Sequence, residues 1–148
     1  MKNYAGEVIP STQSLIEEAE KICNQLTGGR KFAWHELYQE KAEKNNTTAW
    51  NRIKPITSCG LYVFYNAAGQ AVYVGNSRDI PTRLRNLFLG KEHNVASLVY
   101  LILRDRHDAA HGDYMGERKD LPGWEQNREA MQEKMRNDWR IQFLPPVS

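Results

Sequence analysis

Two phenols and a guanidinium at fixed intervals carry the first signal in this chain: Gly60-Leu61-Tyr62, then Tyr73-Val74-Gly75, then Arg83 eight residues beyond that glycine. Two runs rich in β-formers, Leu61 to Tyr65 and Ala71 to Val74, flank Asn66-Ala67-Ala68-Gly69, a composition suited to a short hairpin loop. A loop centred between Ala67 and Ala68 sets Tyr62 opposite Tyr73, so the two hydroxyls share one face of the ribbon. Phenols beside a cation suit a phosphodiester. Its hydrolysis needs a water that is oriented and deprotonated, and a positive group to meet the charge growing on phosphorus. Free tyrosine ionises near pH ~10, so Tyr62 acts as a base only where cations favour its phenolate.

The elements that must hold these groups follow from pattern. Alternation puts Gly60, Tyr62 and Phe64 on one side of the first strand and Leu61, Val63 and Tyr65 on the other, giving a buried face and a face available for chemistry. Gly75 ends the second strand where a side chain would obstruct a ligand. Asn76-Ser77-Arg78-Asp79 offers helix N-caps, Pro81 suits a first helical turn, and Ile80, Leu84 and Leu87 recur as a core stripe. Arg83 flanks that stripe near the hairpin mouth; its bland alternative is an ion pair with Asp79 four residues back.

Taken together, these residues resemble the GIY-YIG nuclease family, with Gly60-Leu61-Tyr62 as the first element, Tyr73-Val74-Gly75 as the second and Arg83 as the family arginine. The resemblance implies an α+β fold, a small three-stranded, mostly antiparallel sheet flanked by helices, and an endonuclease hydrolysing DNA with a divalent cation, Mg2+. RNA is left open as a substrate. By the same resemblance Tyr62, Tyr73, Arg83 and His93 are the catalytic candidates, and Gly75, Ser77, Arg78, Arg85 and Lys91 those for nucleic-acid binding. His93, just ahead of a helix with Val95, Leu98, Val99 and Ile102 on its apolar face, sits where protonation is disfavoured.

Family members bind the cation through a glutamate on a helix after the third strand. Here that strand is expected at Trp139 to Phe143, and Leu144-Pro145-Pro146-Val147-Ser148 contains no carboxylate. Three explanations stand: a fragment lacking that helix, a scaffold that binds nucleic acid without cutting it, or substitution by Glu125, Glu129 or Glu133. The last three are interleaved with Arg128, Lys134 and Arg136, a pattern that reads as a solvated charged face, so no metal ligand is assigned. The alternative function is a non-catalytic nucleic-acid-binding module on the same scaffold.

At 148 residues, 41% hydrophobic and 26% charged, the chain has the composition of an ordinary soluble domain with a real core. The net charge of +2 is too small for electrostatics alone to prove a nucleic-acid partner, but residues 76–106 hold six Lys/Arg against three acids, while residues 1–50 hold six against seven. The excess gathers beside the candidate site, where a phosphate backbone would lie. Cys23 and Cys59 form no framework or metal spacing, no apolar run is long enough to cross a bilayer, and the default is the cytoplasm.

Residues 1–57 are expected as a helical extension packed on a nuclease-like domain at 58–148. Ser14-Leu15-Ile16-Glu17 fits a capping box, Leu15, Ala19, Ile22, Cys23 and Leu26 form one helical face, and a second helix is expected at Ala33 to Lys44. Beyond the hairpin, helices are expected at 94–105 and at Trp124 to Asn137, with a loop from Ala109 to Gly123. His107 and His111 could share a helical face toward a metal, but with Gly112 following they read as solvated loop.

Overall fold

The computed structural model describes residues 29–38 and 59–144, with single positions 13, 14, 17, 18, 21, 22 and 24. Those single positions are helical, within the stretch where the sequence places its first helix; Leu15, Ala19, Cys23 and Leu26 lie outside the described residues. Four strands form one antiparallel sheet in the order β1-β4-β2-β3: β1 (Lys31–Ala33), β2 (Gly60–Tyr65), β3 (Ala71–Ser77) and β4 (Arg140–Leu144). The helices are α1 (Trp34–Leu37), α2 (Ile80–Leu89), α3 (Ser97–His111) and α4 (Trp124–Asp138), with a 3-10 turn at Arg118–Asp120.

The fold is α+β as expected, with one strand more than the three anticipated. β1 escaped notice because a three-residue strand is too short to show alternation; Phe32 pairs with Ile141 and is buried beside it. It also displaces the start of the second helix. Ala33 is strand and α1 is a single turn: Glu36 accepts the Ala33 N–H at 2.7 Å, and Tyr38 is already extended with φ −136° and ψ 126°. Its ring stacks on Trp34 at 5.0 Å, which fixes the chain leaving the helix. Residues 39–44 lie outside the described ones.

One sheet face carries Phe32, Tyr62, Phe64, Ile141 and Phe143, and three helices lie over it in a single core. Leu84, Leu87 and Phe88 arrive from α2, Leu98 and Val99 from α3, and Met131 and Met135 from α4. Phe88 meets Phe64 edge-on at 5.3 Å and stacks on Trp34 at 4.5 Å. Each such large side chain contributes about 1.5–3 kcal/mol by leaving water. The tyrosine-bearing face is therefore the core face; the sequence reading, which assigned burial and chemistry to opposite faces, is corrected here.

α3 begins three residues later and ends six residues later than anticipated at 94–105. Val95 and Ala96 both donate to Glu92 O, at 3.1 and 2.8 Å, so 92–96 is a turn leading into the helix. The polar stretch after 105 stays helical until Gly112, whose φ of 84° ends it. Its alanines are good helix formers, and Arg104 pairs with Asp108 at 3.5 Å. His107 and His111 are thus helical, not loop. α4 matches its expected span within a residue, and it does more than cover the core. Gln132, fully buried, donates to Leu87 O at 3.1 Å and Gly90 O at 2.8 Å, and Arg136 donates to Phe88 O at 2.9 Å, so α4 satisfies the last carbonyls of α2.

Candidate active site

The hairpin positions its phenols by two compensating irregularities. Its loop closes as Asn66 N to Gln70 O at 2.9 Å, with Asn66 Oδ1 accepting from the N–H groups of Ala68 (3.1 Å) and Gln70 (2.9 Å) and Gly69 at φ 78°. A regular ladder from that closure would pair Tyr62 with Val74 and turn Tyr73 to the opposite face. Instead the register runs Tyr65 to Ala71, Phe64 to Tyr73 and Tyr62 to Gly75, leaving Val72 as an extra residue in a bulge. Loop and bulge each displace the pairing by one residue, and the two shifts together keep Tyr73 on the Tyr62 face. The direct Tyr62–Tyr73 pairing expected from sequence is corrected to a diagonal contact, ring centroids 6.1 Å apart.

Gly75 is required by close approach. A Cβ built there would stand 2.6 Å from Tyr62 Cε2 and closer still to Cζ and the hydroxyl, so the phenol lies directly against this backbone. β2 is an inner strand, and Tyr62 is only 1% exposed.

Arg83 is carried on the first turn of α2. Asp79 caps that helix by accepting the Thr82 N–H at 3.1 Å and the Thr82 hydroxyl at 2.7 Å, while Ser77 Oγ accepts the Asp79 N–H at 3.0 Å. With Asp79 committed to Thr82, Arg83 Nη2 donates to Ser97 Oγ at 3.0 Å, at the start of α3. The alternative ion pair with Asp79 is not formed. Nothing in the sequence singled out Ser97, which read only as a residue near a helix start.

Burial pushes the Tyr62 ionisation upward, against the pull of Arg83; the neighbouring Tyr73 adds to the rise. Burial disfavours the charge of Arg83, yet Tyr62 and Tyr73 more than offset it and its net shift is upward. The Tyr62 hydroxyl is withdrawn from solvent without a hydrogen bond of good geometry, although both neighbours are near enough to act on its ionisation. At neutral pH this site therefore presents a neutral buried phenol beside a permanent cation.

Tyr62, Tyr73, Gly75, Asn76 and Arg83 line one open cavity of about 410 Å³. A second depression of about 380 Å³, sharing Leu61 and Asn76, extends it to Ser77 and Arg78. Six of the nine residues named from sequence, Tyr62, Tyr73, Gly75, Ser77, Arg78 and Arg83, thus border one continuous groove, while Arg85, Lys91 and His93 line neither depression. His93 packs edge-on to Tyr100 at 6.3 Å, and its carbonyl accepts from Arg118 at 3.2 Å. The Lys91 carbonyl accepts from Trp124 Nε1 at 3.1 Å, so the 91–93 loop is tied to the α3–α4 side.

The described residues do not fit a divalent cation at this cavity. Its lining offers phenols, an amide and a guanidinium but no carboxylate, and no group of three or more His, Cys, Asp or Glu is gathered for a metal among the described residues. Glu129 is engaged elsewhere: hydrogen bonding from Arg136 (3.1 Å) holds its carboxyl below the usual range, with Arg128 at 3.2 Å adding to it, while Glu125 and Glu133 face solvent.

Residues 58–121 match the family model described as the GIY-YIG catalytic domain. No curated protein and no solved structure matches the chain. No helix among the described residues is long and apolar enough to cross a membrane.

Proposed function

Because residues 58–121 belong to the GIY-YIG family, a nuclease-type domain acting on nucleic acid, we propose that this chain is an endonuclease that hydrolyses a DNA phosphodiester in the Tyr62–Tyr73–Arg83 cavity. The observation that carries this reading is the convergence of one cation and two phenols on a single open cavity. Arg83, steadied by Ser97, holds two oxygens of the scissile phosphate through its planar fork. Tyr62, kept protonated by burial, orients a water by hydrogen bonding instead of taking its proton. Tyr73, half-exposed on the same face, accepts the water's proton as it releases its own toward solvent. The hydroxide attacks phosphorus, the ester P–O bond breaks, and the leaving oxygen takes up a proton from solvent, giving a phosphomonoester and an alcohol. The Mg2+ that the family resemblance implies has no ligand set among the described residues lining this cavity, and the steps above use only the chain's own groups.

The second reading is a nucleic-acid-binding module without cleavage, favoured by the lack of a carboxylate in that lining. Plasmid nicking, with and without Mg2+, separates the two: cleavage by the wild type that is lost in Arg83→Ala and reduced in Tyr73→Phe supports the endonuclease. DNA retention by every variant without nicking supports the module.

A further inference from the structure

A cavity larger than the one at the tyrosines lies away from them. About 610 Å³ in volume, it is formed between the second half of α3 and the middle of α4 and includes Arg106, His107, His111, Asn127, Met131 and Lys134 among its walls. That size is in the ordinary range for a small-ligand site. Its polar lining consists of donors and imidazoles, and it contains no carboxylate.

The charges here are uncompensated. Arg104, Arg118, Arg128, Arg136 and Arg140 each have a carboxylate, carbonyl or ring partner, whereas neither Arg106 nor Lys134 makes an ion pair or hydrogen bond among the described residues. The imidazoles are held in place: His107 and His111 stack at 4.8 Å, His111 Nδ1 lies 3.3 Å from His107 O, and Tyr114 stands edge-on to His107 at 5.5 Å. His107 Nδ1 is shut from solvent without a hydrogen bond, Asp108 Oδ1 being 3.7 Å away, so its other nitrogen is the one left to a ligand. Asp108 itself is occupied by Arg104 and by the Tyr114 N–H at 2.7 Å.

We propose that this α3–α4 cavity binds a nucleoside phosphate, with the phosphate between Arg106 and Lys134, the imidazole pair donating to it, and the base against the Met131 wall. Unpaired cations and fixed donors supply anion recognition, and a thioether suits a planar ring. Two sources share this chemistry: a free mononucleotide, or a nucleotide of a strand already held in the tyrosine groove. Arg106 to His111 lie about 14–21 Å along α3 from Ser97, the residue that holds Arg83, which is roughly four to six base-pair steps of a duplex. The strand source rests on the endonuclease reading; the mononucleotide source does not.

The test compares wild type, Arg106→Gln, Lys134→Gln and Arg83→Ala, with thermal melting to confirm the fold. Adenosine 5′-monophosphate is titrated by calorimetry and a fluorescein-labelled single strand by anisotropy across a salt series. One mononucleotide bound per chain, weakened about tenfold by each cavity substitution but unchanged in Arg83→Ala, establishes the free-ligand source. Weakening of the strand alone, with the log–log salt slope reduced by about 0.7 per substitution, establishes the strand source. The proposal is overturned if the cavity variants bind both probes as the wild type does, or if the wild type binds neither. Wild-type nicking with unaltered binding by the cavity variants would sink this site and leave the endonuclease standing; mononucleotide binding lost in the variants, without any nicking, would do the reverse.

Discussion

Arg83 and Arg128 each sit about one turn into a helix, α2 and α4, and both are drawn toward the core, yet they meet different company. Arg128 is 8% exposed and donates to Gln132 Oε1 at 2.8 Å and to the Glu129 carboxylate at 3.2 Å. Glu129 also takes Arg136, so this network closes on itself and braces the end of α2. Arg83 faces a serine and two phenols, all neutral, and forms no ion pair among the described residues. A cation whose neighbours are donors and neutral hydroxyls keeps its charge for a ligand; a cation matched to a carboxylate spends it on the scaffold. Counting basic residues along the chain does not separate these two cases, because the separation depends on the charge of the partner.

The largest effect should come from exchanging fates across this pair. Arg83→Ala is expected to lower nicking by about a hundred- to a thousandfold while leaving the melting temperature close to that of the wild type. Arg128→Ala is expected to cost about 1–3 kcal/mol in urea unfolding, because it removes the donor serving Gln132 and Glu129, and to leave nicking per folded molecule little changed. If the two substitutions give the same profile, the contrast is broken.

Next comes the bulge. Deleting Val72 gives a regular ladder in which Tyr73 still opposes Phe64 on the Tyr62 face, so nicking should stay near that of the wild type, whereas Tyr73→Phe should lower it about ten- to a hundredfold while far-UV circular dichroism stays native. Full nicking in Tyr73→Phe would show that its hydroxyl is not needed on that face. Gly75→Ala drives a methyl into the Tyr62 ring and should cost about 1–3 kcal/mol of stability.

The smallest effect is on alkaline stability. Burial raises the Tyr62 ionisation above its ordinary value of 10.0, so the folded chain holds that proton more tightly than the unfolded one. This contribution is complete below about pH 10 and is lost as pH rises through the folded value. Melting temperature should therefore fall on that limb, and the fall should be shallower in Tyr62→Phe.

Much of the hairpin was legible: β-formers with a polar loop fixed two strands, and the tyrosine, glycine and arginine spacing fixed the groove. The two-residue register error arose because a loop one residue longer and a bulge at Val72 cancel in their effect on facing, leaving no trace in alternation. Ser97 was missed because a serine near a helix start looks like a cap, and its real partner lies fourteen residues away. The α3 boundary was misjudged because Arg106 to His111 are polar, and polar residues carry no core periodicity whether helical or not. His93 rested on resemblance and on an expected helix start, but that helix begins only at Ser97 and the contacts of His93 lie with Tyr100 and Arg118.

The most direct measurement is a crystal structure of the chain with a cleavage-resistant phosphorothioate oligonucleotide. The account predicts one backbone phosphate within hydrogen-bonding distance of both the Arg83 guanidinium and a hydroxyl of Tyr62 or Tyr73, lying against Gly75. A bound strand that bypasses this groove, with Arg83 still directed only at Ser97, would contradict it.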